Sequence, residues 1–415
     1  MSSKSKSLRG FVASCEIIMP HAKPTLTPKL RFPEFRGAEG WEERNLGSIC
    51  QMQAGKFVAA ADIHERSAQG FYPCYGGNGL RGYTKTFTHS GKFPLIGRQG
   101  ALCGNVRLGL GQFHATEHAV VTTPESGVDV DWLFYVFGFL NLNRFATGQA
   151  QPGLSVDVIA KIPVSKPVDE TEQQKIAACL TTLDEVIAAQ TQKLNALKTH
   201  KKGLMQQLFP REGETQPRLR FPEFQGSGEW MVEPLGQLAG YENGKAYEKD
   251  ITENGKYVVV NSRFISTDGA VRKYTNAEYL TANAGEVLMV LSDLPKGRAL
   301  AKVYFVEAND RYAVNQRVCR LRPKGIDGKF FYYVLNRHPR LLAYDDGLNQ
   351  THLSKGGVTD CPLCVPRDKA EQHRIATCLT TLDDLITAQS AKLSALKTHK
   401  KGLMQQLFPS PGEEA

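Results

Sequence analysis

Between Glu172 and Pro210 apolar residues recur at alternating steps of four and three, at Ile176, Leu180, Leu183, Ile187, Leu194, Leu197, Leu204 and Leu208. That spacing is the heptad seam of a coiled coil. At about 1.5 Å per residue, the helix it predicts is roughly 55 to 60 Å long. The seam returns later at Ile375, Leu379, Leu382, Ile386, Leu393, Leu396, Leu403 and Leu407. Each copy carries two polar interruptions in the same heptad positions, Gln190 with Lys201 and Gln389 with Lys400. A seam of this length needs a partner, and the nearest candidate is the other copy. Antiparallel pairing would bring Gln190 and Gln389 face to face, where their hydrogen bond fixes the register at some cost in stability. Gly203 and Gly402, each costing about 1 kcal/mol inside a helix, are expected to loosen the last turns. Pro210 and Pro409 should stop both helices.

The two helices belong to a larger repeat. Glu172 to Pro210 aligns with Glu371 to Pro409 at an offset of 199, with about thirty identities in thirty-nine positions, and "ALKTHKKGLMQQLFP" is kept letter for letter. A shorter repeat precedes each helix: "PKLRFPEFRGAEGWEERNLG" from Pro28 aligns with "PRLRFPEFQGSGEWMVEPLG" from Pro217, placing Trp41 opposite Trp230. Between these bookends, residues 48–150 and 237–349 differ, so a constant frame encloses two unlike interiors. In the first, "KFPLIGRQGALCGNVRL" and "HAVVTTP" read as short strands; in the second, "YVVVNSRFI", "EVLMVLSD", "AKVYFV" and "VCRLRP" do. Each interior then offers one aromatic-rich helix, "DWLFYVFGFLN" or "KFFYYVLNR". The predicted fold class is α+β: two globular mixed α/β domains separated by two long helices that form an antiparallel coiled coil, in a pseudo-two-fold repeat. The boundaries are a flexible N-terminal arm at 1–27, a first recognition domain at 28–168, a helix at 169–210, a polar linker at 211–216, a second domain at 217–367, a helix at 368–409 and a disordered tail at 410–415.

The formal charge of +9 and a pI near 9.0 favour a polyanionic partner. Nine scattered cysteines do not form the framework of a secreted disulfide scaffold. With no apolar run long enough for a bilayer, the chain is expected to stay in the cytoplasm with no membrane partner. "CPLC" from Cys361 has the spacing of half a zinc site, but the first repeat has "IPVS" there and no matching His or Cys pair, so structural thiols and no metal are expected. Cys179 and Cys378 read as small packing residues. Ser155 in "QPGLS" and Ser354 in "QTHLS" are expected to cap short helices. The "KTHKK" stretches read as solvated faces near helix C-termini.

This layout resembles the specificity subunit of type I restriction–modification systems. The resemblance rests on "EQQKIAACLTTLDEVI" and "EQHRIATCLTTLDDLI" opening the helices, "LKTHKKGLMQQLF" closing both, and "LRFPEF" followed by Trp and "LG" starting each unit. "GGNGLRGY", "IGRQGALCGNV" and "ATEHAVV" also look like a recurrent recognition-domain type of that family. The resemblance implies two target recognition domains, each reading half of a bipartite, asymmetric site on double-stranded DNA. It implies a coiled coil that acts as a ruler and docks two methyltransferase subunits, to which two restriction subunits can add. S-adenosylmethionine, ATP and Mg would serve those partners, and this chain would hold no cofactor and no catalytic residue. No "GxxxxGK[ST]" loop and no Asn-Pro-Pro-Tyr type signature occurs in it.

Bases are read by Arg or Lys on guanine and by Asn or Gln on adenine. In the first interior, Asn78, Arg81, Tyr83, Lys85, Arg98 and Gln99 fall in what reads as Gly-punctuated loops. In the second, Asn261, Ser262, Arg263, Arg272, Lys273, Lys296, Arg298, Gln316 and Arg317 are comparable. The alternative reading is a non-enzymatic adaptor whose coiled coil holds two protein ligands, which leaves the charge and the unlike interiors without a role. A self-contained nuclease or methyltransferase is disfavoured by the missing motifs.

Overall fold

A computed structural model describes residues 26–100, 102–148, 152–294 and 297–409. The chain divides into two compact units, Met1–Ala189 with Leu393–Ala415, and Gln190–Lys392. Both boundaries fall inside the long helices, which run Glu170–Leu208 and Lys369–Leu407. Each unit therefore contains the opening part of one helix and the closing part of the other.

Within the first unit, Asp184 meets Lys400 at 2.6 Å, while Ile176 and Leu180 share a core with Leu403, Met404, Leu407 and Phe408. Within the second, Gln389 donates to the Gln190 side-chain carbonyl and Lys201 meets Asp383 at 2.5 Å. Ascending numbers meet descending ones in both, so the helix segments pair antiparallel. The glutamines face each other as the seam required. Of the remaining seam positions, Leu194 and Leu393 are buried, and Leu183, Ile187, Leu197, Leu382, Ile386 and Leu396 are half-buried. Replacing Gln190 and Gln389 together by leucine is expected to raise the thermal unfolding temperature, because an apolar pair replaces amides that only break even on burial. Differential scanning calorimetry measures this.

Neither glycine loosens the closing turns. Helix continues past Gly203 and Gly402, and a side chain at either would meet nothing within 4 Å. The neighbours explain it: Leu204, Met205, Leu208 and Phe209 pack on the second core as Leu403, Met404, Leu407 and Phe408 pack on the first. Burial on that scale outweighs a propensity cost of about 1 kcal/mol. Residues 1–25 of the expected arm and the tail at 410–415 lie outside the described residues. Leu26 is held, its carbonyl accepting the Trp41 N–H at 2.8 Å.

The first interior builds one six-stranded sheet in the order Cys50–Ala54, Ala119–Pro124, His89–Gly97, Val106–Ala115, Tyr72–Gly76, Gly79–Thr84. The second builds a four-stranded sheet, Ala239–Asn243, Val318–Pro323, Val287–Val290, Val303–Phe305, beside a five-stranded one centred on Tyr257–Val260. The first four strands of the six and the four of the smaller sheet share one chain-order pattern, first, fourth, second, third, with antiparallel neighbours throughout. The "YVVVNSRFI" run is strand only to Val260. Asn261 then caps a short helix, Ser262–Ser266, by accepting from the Phe264 N–H at 2.9 Å.

One aromatic helix seals each interior. Val130–Leu140 begins where Asp129 accepts from the Asp131 and Trp132 N–H groups, and buries Trp132, Leu133, Val136, Phe137 and Leu140. Gly328–Leu335 begins at Asp327 in the same way and buries Phe330, Phe331, Tyr333 and Leu335. The frame grips both caps: Gln173 Oε1 accepts from the Asp129 N–H at 2.9 Å, and Gln372 Oε1 from the Asp327 N–H at 2.8 Å. Farther along, the Tyr135 hydroxyl donates to Asp184 at 2.9 Å beneath Lys400, and the Tyr333 hydroxyl donates to Asp383 at 2.8 Å beneath Lys201. The lysines that interrupt the seam thus serve a node that ties each interior to its helices.

Candidate nucleic-acid interface

Two backbones touch where the first sheet meets its loops. A side-chain carbon added at Gly97 would lie 1.8 Å from the Gly77 carbonyl oxygen, so glycine alone allows the 76–79 hairpin to rest on the end of the His89–Gly97 strand. Past that contact, the Arg98 N–H donates to the His118 carbonyl at 3.0 Å, and the Gly100 N–H to Pro152 at 3.0 Å. These bonds shape a cleft of about 510 Å³ whose lining includes Asn78, Leu80, Arg81, Gln99 and His118. Asn78, Arg81 and Gln99 are exposed, and Arg98 beside them is half-buried. Amide and guanidinium donors on one concave surface can meet base edges or phosphates.

Other candidates from the first interior stand elsewhere. Arg81 and Tyr83 lie on the Gly79–Thr84 strand rather than in a loop, since the hairpin is tighter than its glycines suggest. Tyr83 exchanges backbone hydrogen bonds with His64, and Lys85 sits 6.0 Å from the Phe71 ring; neither lines the cleft.

The second unit gathers its polar groups at the end of two parallel strands, Tyr257–Val260 and Tyr312–Val314. The Asn315 N–H donates to Val260 at 3.1 Å, which sets Asn261 and Ser262 beside Asn315, Gln316 and Arg317. Lys245 is bridged to Asn315, and Glu248 accepts from Asn315 and Gln316 at 3.1 Å each. Asn261 spends its side-chain oxygen on the cap, and Gln316 spends its amide on Glu248, so both are partly committed within the protein. Arg263, Lys273, Arg298 and Arg317 are exposed. The Arg272 Nε donates to the Gly269 carbonyl at 2.9 Å. Lys296 lies outside the described residues. Lys245, Glu248, Glu117 and His118 escaped selection by sequence: the last three sit in turns, and Lys245, on a bridge, is marked only by Gly244 before it, which the close approach of the Asn315 carbonyl requires.

Ser155 and Ser354 cap their helices, accepting from Val158 at 3.3 Å and Gly357 at 3.0 Å. Burial pushes both the Cys361 and Cys364 thiols up to about 11, which disfavours the thiolate a zinc ion would need. Among the described residues, no three metal-type side chains come together, and no helix is long and apolar enough to cross a membrane. A groove of about 540 Å³ in the first unit, with Tyr135, Lys400 and Met404 in its wall, has a counterpart of about 610 Å³ in the second, walled by Tyr333 and Met205.

A family model described as the type I restriction modification DNA specificity domain matches twice, over residues 38–199 and 227–398. The chain is similar to the EcoprrI specificity subunit of Escherichia coli, 46% identical over 144 residues, which are 34% of this chain and 36% of that relative's length. It is also 22% identical over 412 residues to the MjaVIII specificity subunit of Methanocaldococcus jannaschii, covering 91% of this chain and 95% of that one. In fold it resembles the crystal structure of the type I restriction–modification S subunit from M. genitalium, with a TM-score of 0.67 at 18% identity, covering 93% of this chain and 100% of the other.

Proposed function

This chain belongs to the family of type I restriction–modification specificity subunits, and from that membership we propose that it reads a bipartite, asymmetric DNA site with one recognition domain per half-site and docks methyltransferase subunits through its repeated helices. The observation that carries the reading is a constant frame around unlike interiors, one of which presents Asn78, Arg81 and Gln99 on a single cleft. Unlike readers suit unlike half-sites. A frame repeated down to its buried contacts, with a groove in each unit walled by the equivalent tyrosine and methionine, suits two copies of one partner. Methylation of adenine with S-adenosylmethionine, and ATP- and Mg-dependent cleavage where restriction subunits join, belong to those partners. The adaptor alternative leaves both the +9 charge and the cleft unused.

Gel shifts against a randomised duplex pool at several salt concentrations test the reading. Binding should weaken steeply with salt through phosphate contacts while a sequence preference survives. Alanine at Arg98 and, separately, at Arg298 should each weaken binding to the selected site by about 5- to 150-fold, the range of one base or strong phosphate contact. If both variants bind that site like the parent chain, the loops chosen here are the wrong ones.

A further inference from the structure

The turn that joins the Val106–Ala115 and Ala119–Pro124 strands consists of Thr116, Glu117 and His118. It is rigid at the backbone: the Thr116 N–H donates to Tyr75 at 2.8 Å, the Ala119 N–H to Thr116 at 2.9 Å, and the His118 carbonyl takes the Arg98 N–H. Thr116 is buried, its hydroxyl oxygen accepting the His118 N–H at 3.4 Å. Glu117 and His118 pair with each other, Oε1 to Nε2 at 3.2 Å, and their other polar atoms, Glu117 Oε2 and His118 Nδ1, are sheltered from solvent with no hydrogen-bond partner. These are two of the four such atoms among the described residues, and they are on adjacent side chains. A sheltered polar atom without a partner has lost its water for nothing in return and calls for a cause.

Carboxylates that serve the fold are used differently in this protein. Asp129 accepts from two backbone N–H groups, and Asp346 accepts from Leu348 and Asn349. Glu117 has no such duty. It forms no ion pair with Arg81, although both charges lie near enough to the Cys74 thiol to act on it, after burial, in opposite senses. The side chains of Glu117 and His118 are 34% and 40% exposed, so rotation about their own bonds can present the unpaired atoms outward. His118 already lines the cleft with Asn78, Arg81 and Gln99.

We propose that Glu117 and His118 complete the base-reading set of the first unit, with the Glu117 carboxylate accepting a hydrogen bond from an exocyclic amino group of a base, cytosine N4 or adenine N6, and His118 holding that carboxylate in place. Arg81 can only donate, and Asn78 and Gln99 each carry a single amide oxygen beside a donor group; a carboxylate supplies an acceptor for an amino group with no competing donor. This inference rests on the DNA-reading function proposed above.

The test selects duplexes from a randomised pool with the full chain, parent, E117A, E117Q and H118A, alongside thermal unfolding of each. E117A is expected to lose selectivity at one base position by tenfold or more and to keep its preference at the others. The base lost there identifies the source of the amino group. E117Q, which retains one acceptor oxygen, should restore part of that selectivity, and H118A should weaken selectivity at the same position. An unchanged consensus from E117A, or selectivity that falls evenly at all positions together with the unfolding temperature, overturns the assignment while leaving the DNA-reading function standing. A parent chain that selects no consensus overturns both.

Discussion

Replacing Glu172 by alanine is expected to lower the unfolding free energy of the first unit by about 3 to 5 kcal/mol, the usual cost of removing one partner from a buried ion pair. Glu172 is 1% exposed and Arg31 9%. The carboxylate accepts from Arg31 Nε at 2.8 Å and Nη2 at 2.7 Å, and from Trp41 Nε1 at 3.2 Å. Arg31 also donates to the Ala38 and Glu39 carbonyls, and its hydrogen bond to Glu172 raises its pKa above the ordinary arginine value. Alanine would strand a guanidinium that cannot shed its proton, together with an indole N–H. The same clamp closes the second unit, where Glu371 accepts from Arg220 at 2.7 Å twice and from Trp230 at 3.3 Å. Urea unfolding followed by tryptophan fluorescence measures the loss, because Trp41 reports on the clamp. E172Q, which keeps the shape and one acceptor, should lose less. A deficit below about 1 kcal/mol for E172A would mean that the pair is solvated in solution.

These clamps explain why the frame was legible in the sequence. Glu172, Gln173, Asp184, Lys201 and the "LMQQLF" ending each make a contact that recurs in the other unit, so substituting one letter breaks a bond that its counterpart still makes. Conserved geometry then leaves identical letters, which a comparison of the chain with itself finds directly. The shared strand order of the two interiors left no such trace. Pairing order is set by long-range register, and many β-branched sequences satisfy one ladder. The cleft was half legible: Asn78, Arg81 and Gln99 could be chosen by chemistry, but only folding separates them from Tyr83 and Lys85. Asn261 was legible as chemistry but not as geometry. The oxygen of an amide that looked wholly free is committed to a cap, because the strand that "YVVVNSRFI" promised gives way to a helix at that residue.

Alanine at Gly97 should separate reading from folding in the first unit. The added methyl would fall 1.8 Å from the Gly77 oxygen and 2.8 Å from its carbonyl carbon, and both obstacles are backbone, so neither can turn aside as a side chain would. Either the 76–79 hairpin or the strand end must move, at a cost of about 1 to 3 kcal/mol or more for forced overpacking. Beyond the collision, the strand is fixed by Val120 and Val106, opposite Ile96 on either side. The hairpin projects from the edge pair of the sheet and has fewer bonds to lose. It should therefore give way first and carry Asn78 and Arg81 away from Gln99 and His118. In duplex selection, G97A should lose the consensus of one half-site and keep that of the other, with a fall of several degrees in the unfolding temperature. Loss of both half-sites together would mean that the two interiors do not read independently, and loss of neither would mean that the cleft does not read bases.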